Sequence, residues 1–192
     1  MNIVVYCGSG SGDDPRFTES ARDLGTWIAE AGHALVYGGS SIGLMGEVSR
    51  AALDAGGVVI GVEPRFFIEM GVEQHDLTEL IVVETMSERK AKMIELGDAF
   101  VALPGGMGTL EEISEIMSRV RLGLGPDACY LLNIGGYYDS LKRFLRDALD
   151  HGFVDPPEFE HCFFPESIEE FAALVASERS RVASSYRCDL NV

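Results

Sequence analysis

The chain has 192 residues and a mass of 20.8 kDa, enough for one domain with a sizeable hydrophobic core. Its formal net charge of −16, from 15 basic and 31 acidic residues, argues against nucleic acid as a partner, because nucleic-acid binding needs a basic patch. The longest apolar runs, such as ACYLLNI and GGVVIGV, are too short for a transmembrane helix, so no membrane partner is expected.

Met1 is followed at once by the strand-like segment NIVVYC, without a basic leader or a small-residue cleavage site, so we expect a cytoplasmic protein. The four cysteines include no C-x-x-C pair, and the four histidines are dispersed along the chain. A zinc site needs clustered ligands, so we expect reduced structural thiols and no metal or other cofactor.

Strand and helix patterns alternate along the chain, without internal repeats or a low-complexity linker. Apolar strands that alternate with helices predict a parallel sheet covered by helices on both faces. The sequence therefore predicts a Rossmann-like, doubly wound α/β fold, with one domain over residues 1–178 and a polar C-terminal tail at 179–192. The predicted elements, in chain order, are a strand at 2–7, a helix at 16–31, a strand at 33–39, a helix at about 43–55, a strand at 57–62, an irregular or short helical connection at 64–77, a strand at 79–84, a helix at 86–97, a strand at 99–103, a helix at 108–122, a strand at 128–134, and helices at 138–150 and about 167–177.

Three glycine-rich loops follow predicted strands: CGSGSG after the first, YGGSSIGLMG after the second and LPGGMGT after the fifth. The carboxyl ends of parallel strands meet at one edge of the sheet, where ligands bind. Glycines let backbone N–H groups approach an anion closely, and a helix that starts after the loop adds partial positive charge. One such loop is equally well explained as a tight turn, but three together favour a nucleotide site.

Two familiar phosphate-binding motifs are absent from these loops. PGGMGT lacks the lysine and the spacing of a Walker loop, and GSGSGD lacks the final glycine of the dinucleotide fingerprint G-x-G-x-x-G. An enzyme that transfers a hydride is therefore not favoured.

The segment SERK, which contains Arg89 and Lys90, begins the helix that precedes the fifth predicted strand. That helix spans about 18 Å at 1.5 Å per residue. The strand then returns over about 20 Å at 3.3 Å per residue, which brings SERK to the same edge as PGGMG. Arg89 could clamp an anion or a hydroxyl with its planar fork of donors, although the charges of an ERK run are more often solvated.

Glu111 and Glu112 open the next predicted helix, where the helix dipole alone favours acidic residues. In the functional interpretation, the glycine amides and Thr109 hold a phosphate, and one of the two glutamates addresses a ribose carbon or a water. Position along the helix leaves open which of the two does so.

The segment SERKAKMIELGDAFVALPGGMGTLEEISEI combines an R-K pair with P-G-G-x-G-T-x-x-E downstream. In this it resembles the Lonely Guy (LOG) family of cytokinin-activating phosphoribohydrolases, and the likeness extends over residues 1 to about 175, including YGGSSIGLMG and LLNIGGYYDSL. Many members of that family carry the label lysine decarboxylase. No lysine here lies in a recognisable pyridoxal-phosphate site, so the sequence argues against that activity.

The resemblance implies hydrolysis of the N-glycosidic bond of a nucleoside 5′-monophosphate to free base and ribose 5-phosphate. The implied substrates are N6-prenylated AMP, such as isopentenyladenosine 5′-monophosphate, and AMP itself, as for an AMP nucleosidase. A homodimer or higher homo-oligomer, with the site near the subunit interface, is implied as well. The implied catalytic pair is Arg89 and Glu112, and the implied substrate-binding residues are Ser9, Gly38, Gly39, Met86, Lys90, Gly105, Gly106, Met107, Gly108, Thr109, Leu110, Glu111 and Ser118.

Two positions depart from the family pattern. Ser40 stands where a third glycine is common, and Ser87 stands where many relatives have histidine. Neither departure touches the implied catalytic pair, so they bear on base preference more than on the class of activity. An apolar prenyl group would need an apolar slot, which the four methionines at 45, 86, 93 and 107 could supply unless they are core residues.

Two alternatives share the scaffold: a non-catalytic nucleotide-binding or sensor protein, and a molybdopterin-cofactor carrier. A binding protein needs the glycines but not the motif glutamate. Retention of both Arg89 and Glu112 therefore favours the enzyme.

Overall fold

A computed structural model describes residues 1–189, with the side chains of all of them except 157, 158 and 179–189. These residues form an α/β fold in which strands and helices alternate. The strands are β1 (Asn2–Tyr6), β2 (Ala34–Tyr37), β3 (Val58–Pro64), β4 (Glu79–Val83), β5 (Ala99–Ala102), β6 (Cys129–Leu131) and β7 (Cys162–Phe163). The helices are α1 (Pro15–Glu30), α2 (Gly43–Asp54), α3 (Arg65–Glu69), α4 (Met86–Leu96), α5 (Met107–Leu122), α6 (Asp139–Asp150), α7 (Pro156–Glu160) and α8 (Ile168–Asp189), and a 3₁₀ turn spans Ile134–Gly136.

The seven strands of the described chain form one sheet in the order β4-β3-β2-β1-β5-β6-β7, and every neighbouring pair is parallel. The winding direction reverses between β1 and β5, which pair in register from Ile3↔Ala99 to Tyr6↔Ala102. Such a switch point opens a crevice at the carboxyl ends of the strands. The loops after β1 and β5 therefore lie side by side, and the Gly8 N–H donates to the Pro104 carbonyl at 3.1 Å.

Side chains of each central strand alternate between two apolar cores, one on each face of the sheet. On one face Ile3 and Val5 of β1 pack with α1, α2 and α8. On the other face Val4 and Tyr6 pack with α4, α5 and the start of α6. The doubly wound parallel sheet with helices on both faces, predicted from the sequence, is thus confirmed.

The two shortest elements near the end of the sheet, α7 and β7, were not predicted. With five and two residues respectively, they are too short to carry a periodic pattern. The last helix was predicted to end near residue 177, but α8 continues to Asp189. The boundary between a domain at 1–178 and a tail at 179–192 stays a prediction, and residues 190–192 lie outside the described part of the chain. None of the helices described is both long enough and apolar enough to cross a bilayer.

Candidate active site

A cavity of about 430 Å³ opens at the carboxyl edge of the sheet, beside the β1–β5 switch point. Its walls come from the three glycine loops, from the first turns of α2, α4 and α5, and from α3 with the residues after it. The volume lies in the range typical of small-ligand sites. Ten of the predicted site residues line the cavity: Ser9, Gly38, Met86, Arg89, Gly106, Met107, Gly108, Thr109, Glu111 and Glu112.

Helix α4 places Arg89 in this cavity. Its N-terminus is fixed by two side-chain hydrogen bonds, since the N-cap Thr85 Oγ1 accepts from the Glu88 N–H at 3.1 Å and Glu88 Oε2 accepts from the Glu84 N–H at 2.8 Å. With the start of the helix fixed, Arg89 falls on the face of α4 that is buried against the sheet. It is only 8% exposed, and its Nε donates to the Val62 carbonyl at the end of β3, at 3.1 Å.

The guanidinium of Arg89 reaches Glu112 across the cavity, with 3.4 Å between Nη1 and Oε1. It lies over the backbone of Gly38, because a Cβ atom at that glycine would be 1.8 Å from Nη2. Glu112 is also 8% exposed. Burial raises the pKa of the Glu112 carboxyl above its ordinary value; Arg89 opposes this shift, Glu111 adds to it, and Lys90 opposes it. The two groups form a buried pair in which each limits the cost of burying the other.

The neighbouring acid, Glu111, has different surroundings. It is exposed on α5 and forms an ion pair with Lys90, whose Nζ also lies 3.1 Å from Glu115 Oε2. These two carboxylates raise the pKa of Lys90. Of the two glutamates that the sequence left as alternatives, only Glu112 is buried beside Arg89.

The start of α5 presents backbone donors to the cavity. Its N-cap, Gly106, supplies no capping side chain, so the N–H groups of the first turn are left for a ligand. Gly105 lies wedged between Thr109 and the loop after β1, because a Cβ atom there would be 2.1 Å from Thr109 Oγ1 and 2.9 Å from the Gly8 nitrogen. This close approach requires glycine at position 105.

Two tyrosines that sequence reasoning assigned no role hold the same loop from behind. Tyr137 Oη donates to the Gly105 carbonyl at 2.6 Å, and Tyr138 Oη donates to the Leu103 carbonyl at 2.7 Å. Both lie within the segment LLNIGGYYDSL, whose only sequence signal was its likeness to the family. Two adjacent tyrosines after a glycine pair were the only local signal of this role. The carbonyls that they bind lie more than thirty residues away in the chain, so a local pattern could not identify them.

The other predicted site residues do not line the cavity in this chain. Gly39 has φ +87° and packs against Glu63, Gly105 packs against Thr109 and the loop after β1, Lys90 pairs with Glu111 and Glu115 on α5, and Leu110 is exposed. Ser118 lies further along α5, where its hydroxyl donates to the Ser114 carbonyl at 3.0 Å. It lines a separate cavity between α5, α6 and α7, so its predicted contact with substrate stays a prediction.

All four methionines considered for an apolar slot, at 45, 86, 93 and 107, line the cavity. They differ in burial, since Met93 is fully buried while Met107 is 82% exposed. Of the two departures from the family pattern, Ser40 lines the cavity and donates to the Val72 carbonyl at 3.3 Å. Ser87 is exposed and is not part of the cavity wall.

Sequence reasoning missed Glu63, a buried acid in the cavity wall. It follows the apolar run GVVIGV at the end of β3 and is 1% exposed, and no described residue offers a hydrogen-bond partner to its Oε2. Burial raises the pKa of Glu63 to about 7; the Arg89 charge lowers it and the Glu73 charge raises it. A single acid at the carboxyl end of an apolar strand was the signal that could have identified it. The missed lining residues also include Cys7, Ile42, Phe67, Met70 and Val72.

Comparison with known proteins gives this site its context. A family profile described as "possible lysine decarboxylase" matches residues 45–175. The chain is 42% identical over 177 residues, 92% of its length and 89% of the relative's, to a cytokinin riboside 5′-monophosphate phosphoribohydrolase of Rhodococcoides fascians. It is 43% identical over 161 residues, 84% of its length and 70% of the relative's, to the phosphoribohydrolase LOG5 of Arabidopsis thaliana. The chain belongs to the LOG family.

Solved structures agree with the LOG-family fold. The molybdenum cofactor binding protein of Rippkaea orientalis superposes with a TM-score of 0.71 at 24% identity, over 92% of this chain and 95% of that one. The molybdenum cofactor carrier protein of Chlamydomonas reinhardtii gives a TM-score of 0.70 at 25% identity, over 92% and 96%. Members of the LOG family and these proteins thus share one scaffold.

The close contact between Gly38 and Arg89 predicts the effect of adding one methyl group. Gly38→Ala should displace the guanidinium from Glu112, and we expect affinity for a nucleoside 5′-monophosphate, measured by calorimetry, to fall about tenfold or more because a positioned donor is displaced. Gly125→Ala is the control, because a Cβ atom there meets no atom within 4 Å. Unchanged affinity in the Gly38 variant would contradict this account of how Arg89 is held.

The raised pKa of Glu63 predicts how stability depends on pH. Between the ordinary value of 4.5 and about 7, folded Glu63 keeps a proton that the unfolded chain has lost, so its contribution to the free energy of unfolding falls as pH rises. Glu63→Gln removes this dependence. We therefore compare the thermal stability of the variant with that of wild type by calorimetric unfolding. The difference between them should favour the variant more at pH 8 than at pH 5.

The control for that experiment is Glu79→Gln, which changes an exposed acid on the edge strand β4. Its thermal stability relative to wild type should be the same at pH 5 and at pH 8. A Glu63→Gln variant whose difference from wild type is the same at pH 5 and pH 8 would show that Glu63 ionises normally in the folded protein.

Proposed function

We propose that this LOG-family enzyme hydrolyses the N-glycosidic bond of nucleoside 5′-monophosphates, giving free base and ribose 5-phosphate. The observation that carries the proposal is the buried pair of Arg89 and Glu112, one helical turn inside α5, at a helix start that offers free backbone N–H groups. The curated relatives bear the name of this activity at 42–44% identity over most of the chain.

The phosphate would bind at the start of α5, where N–H groups and the helix dipole both favour an anion. Glu112 lies one turn further along the helix, so the ribose of a bound nucleotide would lie between the phosphate and the remaining part of the cavity. Arg89 would position the phosphate or the ribose hydroxyls, and such positioning supplies a large part of a barrier reduction.

Glu112 would act on the positive charge that develops on the ribose during cleavage. Cleavage of a ribosyl bond passes through an oxocarbenium-like state, which an ionised carboxylate stabilises. The C1′–N bond breaks with its electron pair going to the base, a water oxygen bonds to C1′, and Glu112 accepts a proton from that water. The base takes up a proton from solvent, which completes the balance. Burial raises the pKa of Glu112, which makes it a stronger base than an exposed glutamate.

The remaining end of the cavity would hold the base. Its walls are largely apolar and include Ile42, Phe67, Met70 and Val72. Both AMP and N6-prenylated AMP are proposed as substrates, and the apolar wall supports binding of a prenyl group because flexible methionine fills irregular gaps and phenylalanine adds apolar surface.

The decisive variant is Glu112→Gln, which keeps the shape of the side chain and removes the charge. We expect at least about a hundredfold loss of base release from AMP and from isopentenyladenosine 5′-monophosphate, measured by chromatography. Glu115→Gln, the same change one turn along α5, is the control and should retain activity. If wild type binds both nucleotides and cleaves neither, the chain is a nucleotide or cofactor carrier on the shared scaffold.

We also propose that the enzyme is a homodimer. Large apolar side chains are exposed near the end of α5, on α6 and after it: Leu122, Leu124, Phe144 and Phe153. Exposed apolar groups of this size commonly mark a subunit interface. Sedimentation velocity should give about twice the mass of one chain for wild type, and Phe153→Asp should shift it towards the monomer. A monomeric wild type at micromolar concentration would refute the dimer.

A cytoplasmic location is part of the same proposal. Among the residues whose side chains are described, Cys7 and Cys129 are buried thiols that form no disulfide, which suits a reducing compartment. Fractionation of cell extracts checks the location, and recovery outside the cytosolic fraction would contradict it.

A further inference from the structure

Recognition of the base by this site depends on where the base lies, which rests on the function proposed above. With phosphate at the start of α5 and ribose near Glu112, the base must occupy the end of the cavity formed by the loop after β2, by β3, and by α3 with the segment after it. An adenine-type base is flat and apolar on its faces but has hydrogen-bonding groups along its edge. If that edge were buried without partners, binding would cost free energy.

The polar side chains at this end are few. Ser40 lines the wall, but its hydroxyl already donates to the Val72 carbonyl at 3.3 Å and accepts from the Ile42 N–H at 3.5 Å. Glu63 lines the wall too, and the described part of the chain provides no hydrogen-bond partner for its Oε2. The other side chains of this end, Ile42, Phe67, Met70 and Val72, are apolar. Glu63 is thus the polar group there with hydrogen-bonding capacity to spare.

The surrounding backbone leaves space for this carboxyl. A Cβ atom at Gly39 would lie 2.7 Å from Glu63 Oε2, so any larger residue at position 39 would press on the carboxyl. Gly39 also has φ +87°, a conformation that other residues rarely adopt. A buried acid without a partner lowers stability, so it tends to persist where a ligand supplies the missing hydrogen bond.

We propose that Glu63 is a specificity-determining residue that accepts a hydrogen bond from the exocyclic amino N–H of the substrate's base. An N–H at that position is present in AMP and also remains when the amino group carries one substituent, so the contact suits both proposed substrates. The Glu63 carboxyl and the amino group of the nucleobase would each give the other a hydrogen-bond partner that the apolar wall does not provide.

The proton affinity of Glu63 is compatible with this contact. Burial raises its pKa to about 7, so near neutral pH the residue exists in both forms. Each form has a carbonyl-type oxygen that can accept from an N–H. The groups that act on this carboxyl are the Arg89 guanidinium, which favours ionisation, and the Glu73 carboxylate, which opposes it.

The test removes the amino group from the ligand and the acid from the protein. Base release is measured for AMP and for purine riboside 5′-monophosphate, which has hydrogen in place of the amino group, with wild type, Glu63→Leu and Glu63→Gln. In wild type we expect kcat/KM to favour AMP; in Glu63→Leu the ratio should fall about tenfold, the worth of one hydrogen bond to a carboxyl group. Glu63→Gln keeps an acceptor oxygen and should retain most of the preference.

Comparing ratios excludes an indirect effect. If Glu63 acted only by positioning Arg89, Glu63→Leu would slow both substrates equally and leave the ratio unchanged, which would overturn the proposal. Glu73→Gln is the matched control: it alters a neighbouring acid with an unpartnered Oε2 that does not line the cavity, and it should leave the ratio as in wild type.

Failure of the proposed function is separable from failure of this inference. The same comparison is made by calorimetric binding of the two nucleotides to Glu112→Gln and to Glu112→Gln/Glu63→Leu. If wild type releases no base but binds AMP more tightly than purine riboside 5′-monophosphate, and Glu63→Leu abolishes that difference, recognition by Glu63 stands without catalysis. If neither nucleotide binds, both the proposed function and the recognition of the base by Glu63 are refuted.

Discussion

The buried guanidinium of Arg89 joins the parts of the molecule on which the site depends. It donates to the Val62 carbonyl at the end of β3, lies over the Gly38 backbone at the end of β2, and contacts Glu112 on α5. One side chain thus links two strand ends and two helices on the carboxyl edge of the sheet. A buried charge keeps its position only where its donors are satisfied, so the geometry of these elements and the position of the arginine depend on each other.

The glycine loops are shaped by close packing as much as by ligand binding. Gly38 makes room for Arg89, Gly39 makes room for Glu63, and Gly105 makes room for Thr109. Tyr137 and Tyr138 hold the loop after β5 through hydrogen bonds to its carbonyls. The loops are therefore fixed before a nucleotide arrives, and a rigid set of donors loses less entropy on binding.

The sequence was sufficient to predict the fold because the same pattern, an apolar strand followed by an amphipathic helix, is repeated along the chain. It was also sufficient to place Arg89 beside the loop after β5, since that follows from the lengths of α4 and β5. Position along the helix could not choose between Glu111 and Glu112, which are neighbours on one helix and differ in what packs against them; only the family resemblance pointed to Glu112. Glu63 was missed for a related reason: its burial follows from tertiary packing at the end of an apolar strand, which a local pattern does not encode.

The overall charge of −16 makes the source of phosphate affinity a physical problem for this chain. Lys90 contributes little free charge, because Glu111 and Glu115 both pair with it. Arg89 is balanced by Glu112. The backbone N–H groups at the start of α5 carry no compensating acid, so they are the donors left to attract a phosphate against the field of the protein. In the proposed mode of binding, fixed dipoles would attract the phosphate at short range, and Glu112 would face the sugar and not the phosphate.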